Sequence, residues 1–251
     1  MKILHLLSQR PDSTGSGIYI QAMLRESAAA GHENYLVAGV QSGWQPELDT
    51  IKTDHCRFVV FDGGDVSFQL PGMSDVMPYE STRYRDLTEV QLEEYHAAFR
   101  KTIGQAVQDF QPDLIHSNHL WLMSSLTKQM FPDIPLVTSC HGSDLRQFQT
   151  CDHLTERVLK GCRDIDRVLA LGRIQKEDIS RLYGIEKDRI TIAGAGFNSE
   201  LFKPVPKPTD PPVRILYVGK LSRAKGLPWM LRALKEIEIP TWHLELVGSG
   251  T

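Results

Sequence analysis

The sequence has few cysteines, no N-glycosylation signal and no long hydrophobic run. Its four cysteines, Cys56, Cys140, Cys151 and Cys162, show no paired close spacing, and no asparagine begins an Asn-x-Ser/Thr triplet. These features argue against a secreted disulfide scaffold, so a reducing, cytoplasmic compartment is expected. No apolar stretch approaches the ~20 residues that a membrane helix needs. The apolar run 3–7 is too short for a signal peptide.

An excess of charge of one sign is also missing. Lysine and arginine total 28 against 31 for aspartate and glutamate, which gives a net charge of −3. General attraction to nucleic acid or to an anionic membrane is therefore not expected. Peripheral contact with a membrane through a local surface patch stays open.

The sequence does contain an alternation of short apolar runs and helical patterns. After the run 3–7, a helical face is formed by Ile20, Met23, Leu24, Ser27 and Ala28. Further strands are predicted at 35–40, 57–61, 113–116, 134–137, 167–171 and 190–192, and further helices at 92–110, 154–162 and 174–183. This order predicts an α/β fold with a doubly wound parallel sheet, which is Rossmann-like.

Five prolines between positions 203 and 212 predict a linker. An N-terminal domain would then cover 1–202. Residues 213–251 would begin a second domain with a strand at 214–218, a helix at 227–237 and a strand at 243–247. Because such a short β-α-β segment is too small for an independent α/β domain, we interpret the chain as truncated.

The stretch 138–144 brings a histidine to the edge where such sheets bind ligands. The run 134–137 is typical of a buried strand, Gly142 turns the chain, and Ser143-Asp144 is predicted to cap the next helix. His141 is therefore predicted at the carboxyl end of a central strand, where open α/β sheets bind their ligands. A turn histidine bonded to a nearby carbonyl is the alternative interpretation.

A second polar cluster follows the strand predicted at 113–116. His116, Asn118 and His119 could hydrogen-bond a polyol, and Trp121 could offer an apolar face to a sugar ring. Side chains spaced two and one apart along a strand end diverge, so we predict no metal site here. The long segment 62–85, rich in glycine, proline and polar residues, is predicted to be functional or mobile.

Two glycine-containing loops are predicted to face anions. Gly15 and Gly17 precede a helix, whose N-terminal backbone N–H groups and dipole favour negative charge. The loop 219–226 also lies between a strand and a helix, and its Lys220, Lys225 and a further arginine suit a diphosphate. The alternatives are glycines that only turn the chain in the first loop, and a solvated basic loop in the second.

Together these motifs resemble the family 4 (group 1) glycosyltransferases, which have the GT-B fold of two Rossmann-like domains. The resemblance extends over nearly the whole chain. It rests on Gly15-Ser16-Gly17, Ala30-Gly31-His32, Pro112-Asp113-Leu114-Ile115-His116, His141-Gly142-Ser143-Asp144, Phe202-Lys203-Pro204, Gly219-Lys220-Leu221 and Lys225-Gly226.

The resemblance implies transfer of a sugar from a nucleotide diphosphate sugar to a glycan, lipid-linked or small-molecule acceptor. It implies retention at the anomeric carbon, and neither a bound metal nor another cofactor. The implied donor-binding residues are Gly219, Lys220 and Lys225 with Gly15 and Gly17, and the implied catalytic residue is His141. The acceptor- or sugar-binding candidates are His116, Asn118, His119, Trp121 and Asp144, and segment 62–85 is expected to contribute to acceptor choice.

The sequence departs from the family pattern at three places. Lys220 stands where arginine is usual, which keeps the charge but loses the fork geometry. Ala195 and Asn198 stand where an asparagine and an aspartate are common. The Glu-x7-Glu segment that would bind the donor's sugar and ribose should lie beyond Thr251. We therefore predict little or no transferase activity for the 251-residue chain alone.

Other function classes are weighed against this interpretation. A nucleotide-dependent oxidoreductase lacks support, because the third glycine of the fingerprint is missing and no acidic residue ends the strand at 37–40. A two-carboxylate hydrolase lacks an acidic pair at matching strand ends. The Asp164-Ile165-Asp166 motif precedes a strand and is predicted at the opposite, amino edge of the sheet. A non-catalytic sugar-binding module or inactive homologue stays open.

Overall fold

The computed structural model describes residues 1–74, 76–206, 212–238 and 241–250. The chain forms two compact units, Met1–Ala195 and Gly196–Thr251. The predicted linker 203–212 lies within the second unit, and its residues 207–211 fall outside the described residues.

The first unit is a parallel sheet with helices on its faces. Its strands are β1 Lys2–Leu7, β2 Glu33–Gln41, β3 Cys56–Phe61, β4 Leu114–Asn118, β5 Leu136–Ser139, β6 Arg167–Ala170 and β7 Ile190–Ile192. Its helices are α1 Gly15–Ala29, α2 Glu89–Phe110, α3 Leu122–Met130, α4 Ser143–Thr150, α5 Asp152–Cys162 and α6 Arg173–Tyr183. The strand order is β3-β2-β1-β4-β5-β6-β7, and every neighbouring pair is parallel. The predicted doubly wound sheet is confirmed.

Local sequence signals account well for the longest helix, α2. The Thr88 hydroxyl accepts a hydrogen bond from the backbone N–H of Gln91, and the Gln91 side chain accepts one from the backbone N–H of Thr88. The apolar face packs into the core through Leu92, Tyr95, Phe99, Ile103, Ala106 and Phe110. The helix ends at Phe110, and its C-cap residue Gln111 adopts a left-handed conformation (φ 51°) immediately before Pro112.

Two segments differ from the sequence-based expectation. Helix α3 was not identified from the sequence, although its apolar residues Leu122, Met123, Leu126 and Met130 recur at helical spacing. Its first seven residues, 122–128, are all buried, the polar ones included. Within 62–74 and 76–85, its described residues, the segment 62–85 has no regular strand or long helix, yet Val66, Leu70, Met73 and Tyr84 are buried in the core. It is therefore a packed covering of the sheet over its described residues.

Close backbone packing between α3 and α5 depends on Gly161. A Cβ added at Gly161 would lie 2.1 Å from the carbonyl oxygen of Ser125, and the Gly161 N–H donates to the Ser125 hydroxyl at 3.0 Å. A side chain at this position would force the two helices apart. At Gly104, in the middle of α2, an added Cβ would meet only Met130 Cε, at 4.0 Å.

We expect Gly161→Ala to lower the free energy of unfolding by about 2–3 kcal/mol, because backbone atoms cannot move aside cheaply. The matched control, Gly104→Ala, should leave stability unchanged or raise it by up to about 1 kcal/mol, since alanine costs less backbone entropy in a helix. Urea unfolding followed by circular dichroism measures both. Equal effects of the two variants would contradict the packing argument.

The second unit contains one β-α-β segment in its described part. Strands β8 Val213–Val218 and β9 Trp242–Val247 pair in parallel, and helix α7 Leu227–Lys235 lies between them along the chain. Pro228 lies in the first turn of α7, where its missing N–H costs nothing. Across 1–74, 76–206, 212–238 and 241–250, no helix is both long and apolar enough to cross a membrane.

Candidate active site

The predicted catalytic and sugar-binding residues gather at one edge of the first unit's sheet. Strands β2 and β3 extend from β1 on one side, while β4 to β7 extend on the other. Such a reversal opens a crevice at the carboxyl ends of the two central strands. The end of β4 supplies His116 and Asn118, and the segments after β4 and β5 supply His119 and His141.

His141 is held in place by its backbone and by its ring. Gly142 has a positive φ of 88°, which turns the chain from β5 into α4. The His141 backbone N–H donates to Asp144 Oδ2 at 2.7 Å, and His141 Nε2 lies 2.8 Å from Asn118 Oδ1. The predicted N-cap is corrected by this geometry: Gly142 occupies that position, and Asp144 accepts from the preceding His141 N–H instead.

Asp144 is a buried carboxylate that joins the two polar segments. It is 0% exposed, and its Oδ1 also accepts the backbone N–H of Leu120 at 2.6 Å. His119 Nδ1 lies 3.3 Å from the same oxygen. Burial by itself raises the pKa of Asp144, but His119, His141 and the hydrogen bonds outweigh that effect and bring the pKa to about 2. The carboxylate is therefore charged at neutral pH and ties the chain after β4 to the chain after β5.

The imidazoles of His141 and His116 are neutral at the same pH. Burial, followed by the proximity of His119, lowers the pKa of His141 to about 4. Burial also lowers the pKa of His116 well below its ordinary value, with smaller effects from His5 and His141. His141 is thus available as a hydrogen-bonding group and as a proton acceptor, not as a standing positive charge.

Trp121 lies at the N-cap of α3 and is 2% exposed. Its ring makes an edge contact with Tyr84 at a centroid distance of 5.9 Å, so the indole belongs to the core in this structure. His116 and Asn118 are also buried, whereas His141 is partly exposed. Of the predicted sugar contacts, His141 is therefore the accessible one, and the stacking role of Trp121 stays a prediction.

The structure adds three residues to this site that the sequence analysis did not single out. Tyr19 of α1 makes an edge contact with the His141 ring at 4.9 Å, and its hydroxyl lies 3.0 Å from Ser139 Oγ. Ser139 in turn lies 2.9 Å from His116 Nε2, and His5 Nδ1 lies 3.1 Å from His116 Nδ1. Only the pairing register of β1 with β4 brings His5 beside His116, and no local pattern reveals that register.

The structure corrects the predicted loop before α1: Gly15 and Gly17 lie in the first turn of the helix, and the segment 8–14 forms the loop that leads into it. Thr14 is the N-cap, and its hydroxyl accepts the Gly17 N–H at 3.0 Å. A Cβ at Gly17 would lie 2.7 Å from the Arg10 carbonyl oxygen, so this glycine permits close backbone approach, while Gly15 has open space. The Arg10 guanidinium lies over the rings of Trp44 and Tyr79, with its Cζ 3.9 and 4.4 Å from their centroids. A positive charge therefore lies in this loop, which sequence analysis had not noted.

The predicted donor-binding residues lie in the second unit. Gly219 follows β8, and the Tyr217 hydroxyl donates to the Lys220 carbonyl oxygen at 2.6 Å. Lys225 is exposed in a single 3₁₀ turn, Arg223–Lys225, which ends at Gly226 before α7. Their role with a diphosphate stays a prediction.

The Asp-x-Asp motif at 164–166 is structural. Asp166 Oδ2 accepts from Lys128 Nζ at 2.8 Å and from the backbone N–H of Leu136 at 2.9 Å. Leu136 begins β5, so these contacts lie at the amino edge of the sheet, opposite the crevice. The prediction that this motif connects a helix to a strand away from the site is confirmed.

Comparison with known proteins identifies the family of this chain. The model of Glycosyltransferase Family 4 matches residues 13–201. The chain belongs to this family. The resemblance drawn from the motifs is therefore confirmed, and the family match includes the crevice residues from Gly15 to His141.

Glycogen synthase from Mycobacterium tuberculosis is 24% identical to this family member over 255 residues, covering 94% of this chain. The chain spans 58% of the length of that curated relative. Among solved structures, sucrose-phosphate synthase from Thermosynechococcus elongatus has a TM-score of 0.67 at 20% identity, covering 99% of this chain and 62% of that chain.

Two further solved structures carry ligands. Starch synthase IV from Arabidopsis thaliana, bound to ADP and acarbose, has a TM-score of 0.62 at 10% identity, covering 100% of this chain and 69% of that chain. Anabaena HepE, in complex with UDP and glucose, has a TM-score of 0.57 at 16% identity, covering 100% of this chain and 62% of that chain. These likenesses confirm the predicted GT-B type of fold.

Proposed function

We propose that this chain contains the acceptor-side domain and a β-α-β segment of the donor-binding domain of a retaining glycosyltransferase. The donor is a nucleotide diphosphate sugar, and the acceptor is a glycan, a lipid-linked sugar or a small molecule. The observation that carries the proposal is the cluster of polar side chains around His141 at the crevice between β1 and β4. Two solved structures of this fold, one in complex with UDP and glucose and one bound to ADP and acarbose, support a nucleotide sugar as donor.

In this proposal His141 lies beside the donor sugar and acts as a neutral hydrogen-bonding group. Lys220 and Lys225 neutralise the diphosphate and stabilise the departing nucleotide, which accounts for catalysis without a metal or another cofactor. Gly15 and Gly17 line the site near the phosphate and the acceptor. We also propose a cytosolic location, which is expected from the lack of paired cysteine spacing.

The direct test is a screen of UDP-, ADP- and GDP-sugars for hydrolysis and for thermal stabilisation. It uses the 251-residue chain and, where the reading frame continues past Thr251, its longer product. We expect one nucleotide sugar to be turned over by the longer form, and NMR of the product should give the anomeric configuration of the donor. If the longer product neither hydrolysed any nucleotide sugar nor was stabilised by one, the result would favour a non-catalytic sugar-binding module.

The role of the basic loop gives a sharper prediction on the active form. Lys225→Ala should lower kcat/KM for the nucleotide sugar by about 10- to 100-fold, because a charge-assisted contact to phosphate is lost. The matched control is Lys235→Ala, which removes an exposed lysine from the last turn of α7. Equal activity of the two variants would remove Lys225 from the donor site.

A further inference from the structure

The polar contacts beneath the crevice form a hydrogen-bond chain whose direction can be read from its buried end. Asn34 Nδ2 lies 3.3 Å from the carbonyl oxygen of Leu24 and 3.5 Å from that of His32. Because a carbonyl oxygen only accepts, the NH₂ group of Asn34 must point towards these two atoms. Asn34 Oδ1 therefore faces His5 Nε2, at 3.0 Å.

This orientation determines which nitrogen of His5 carries the proton. An amide oxygen only accepts, so His5 Nε2 must be the donor. Burial lowers the pKa of His5 to about 4, which leaves the ring neutral at physiological pH with an unprotonated Nδ1. His5 Nδ1 lies 3.1 Å from His116 Nδ1, so the proton between them belongs to His116.

The same argument continues to the surface of the crevice. His116 is neutral with its proton on Nδ1, so His116 Nε2 accepts from the Ser139 hydroxyl at 2.9 Å. The Ser139 proton is then already donated, and Ser139 Oγ can only accept from the Tyr19 hydroxyl at 3.0 Å. Tyr19 donates inwards, and its oxygen offers only lone pairs to the crevice.

His141 is constrained in the same way. Asn118 Nδ2 donates to the carbonyl oxygen of Leu6 at 3.3 Å, so Asn118 Oδ1 accepts the proton of His141 Nε2 at 2.8 Å. His141 Nδ1 then carries a lone pair. Tyr19 and His141 are both partly exposed, with ring centroids 4.9 Å apart, so the crevice presents two neighbouring acceptors.

We propose that Tyr19 is a specificity-determining residue, held as a hydrogen-bond acceptor by the one-way chain through Ser139, His116, His5 and Asn34. Two acceptors side by side select a neutral group that donates hydrogen bonds, such as a sugar hydroxyl, and disfavour phosphate or carboxylate. The buried Asp144 carboxylate, bonded to the His141 backbone, disfavours an anion further. The choice of a sugar as ligand rests on the proposed function, whereas the direction of the chain does not.

The direction is tested by long-range ¹H–¹⁵N correlation spectra of the full chain, labelled with ¹⁵N-histidine and assigned through the backbone. We expect His5 and His141 to carry their protons on Nε2, and His116 to carry its proton on Nδ1. The opposite tautomer at His116 would overturn the chain.

The ligand class is tested by titrating D-glucose and glucose 6-phosphate while following the His141 signals. We expect Tyr19→Phe to weaken glucose binding about three- to tenfold, because one hydrogen bond is lost. Ser139→Ala frees the Tyr19 proton to point outwards, so the preference for glucose over the phosphate should shrink. Tyr35→Phe removes a hydroxyl near the opposite, amino end of β2 and is the matched control.

Each outcome bears on one claim. Equal glucose affinity of Tyr19→Phe and the unaltered chain, or no response of His141 to glucose, overturns the ligand assignment even where nucleotide sugars are turned over. A clear response of His141 to glucose that is weakened by Tyr19→Phe supports the ligand assignment. If that response is seen and no nucleotide sugar is turned over, the result counts against the proposed transferase function alone.

Discussion

Replacement of Asp144 by asparagine is expected to lower the free energy of unfolding by about 3–5 kcal/mol, the loss typical of breaking a buried charged contact. Asp144 is fully buried and accepts hydrogen bonds from the backbone N–H groups of His141 and Leu120. An asparagine keeps one acceptor oxygen but turns an NH₂ group towards one of these donors. One buried backbone N–H then loses its partner, and the negative charge beside His119 disappears.

Urea unfolding at neutral pH measures this loss. Asp133→Asn is the matched control, because Asp133 is exposed in the turn before β5, and its substitution should change stability by less than about 0.5 kcal/mol. If Asp144→Asn proved as mild as the control, the carboxylate would not hold the segments after β4 and β5 together. Asp144→Asn should also broaden the NMR signals of His141, because the backbone position of His141 depends on its contact with Asp144.

The sequence predicts the ends of the strands well because parallel strands buried on both faces leave continuous apolar runs. The run 134–137 and Gly142 place His141 at the carboxyl edge, and β5 and the positive φ of Gly142 agree with that prediction. The apolar period of α2 and its Thr88 cap are local signals of the same kind. Fold class and the position of His141 follow from such signals.

Properties that depend on contacts distant in sequence were not predictable. Trp121 is as suitable for stacking on a sugar as for filling a core, and only its contact with Tyr84 decides between these positions. Tyr19 and Ser139 are 120 positions apart, and nothing near either one indicates their hydrogen bond. The protonation of His116 depends on the amide orientation of Asn34, which requires coordinates.

The buried imidazoles make the protein sensitive to mild acid. The pKa values of His5 and His141 are lowered from 6.5 to about 4, and burial also lowers the pKa of His116 well below its ordinary value. Between pH 6.5 and 4 the unfolded chain therefore binds protons that the folded chain does not, so stability falls as pH falls. From pH 7.5 to 5.5, His5 and His141 each contribute a loss of about 1.3 kcal/mol, or about 2.6 kcal/mol together, and His116 adds to the loss in the same direction.

Urea unfolding at pH 7.5 and at pH 5.5 tests this prediction. The quantity compared between proteins is the difference in the free energy of unfolding between the two pH values, so a variant that is less stable at both can still be compared with the unaltered chain. His5→Gln should reduce the loss by about 1.3 kcal/mol, because one titrating group is removed. His153→Gln, which replaces an exposed histidine on α5, should retain the loss of the unaltered chain. A His5→Gln protein with the full loss would mean that His5 takes up no proton on unfolding, and the hydrogen-bond chain beneath Tyr19 would then lack its neutral inner imidazole.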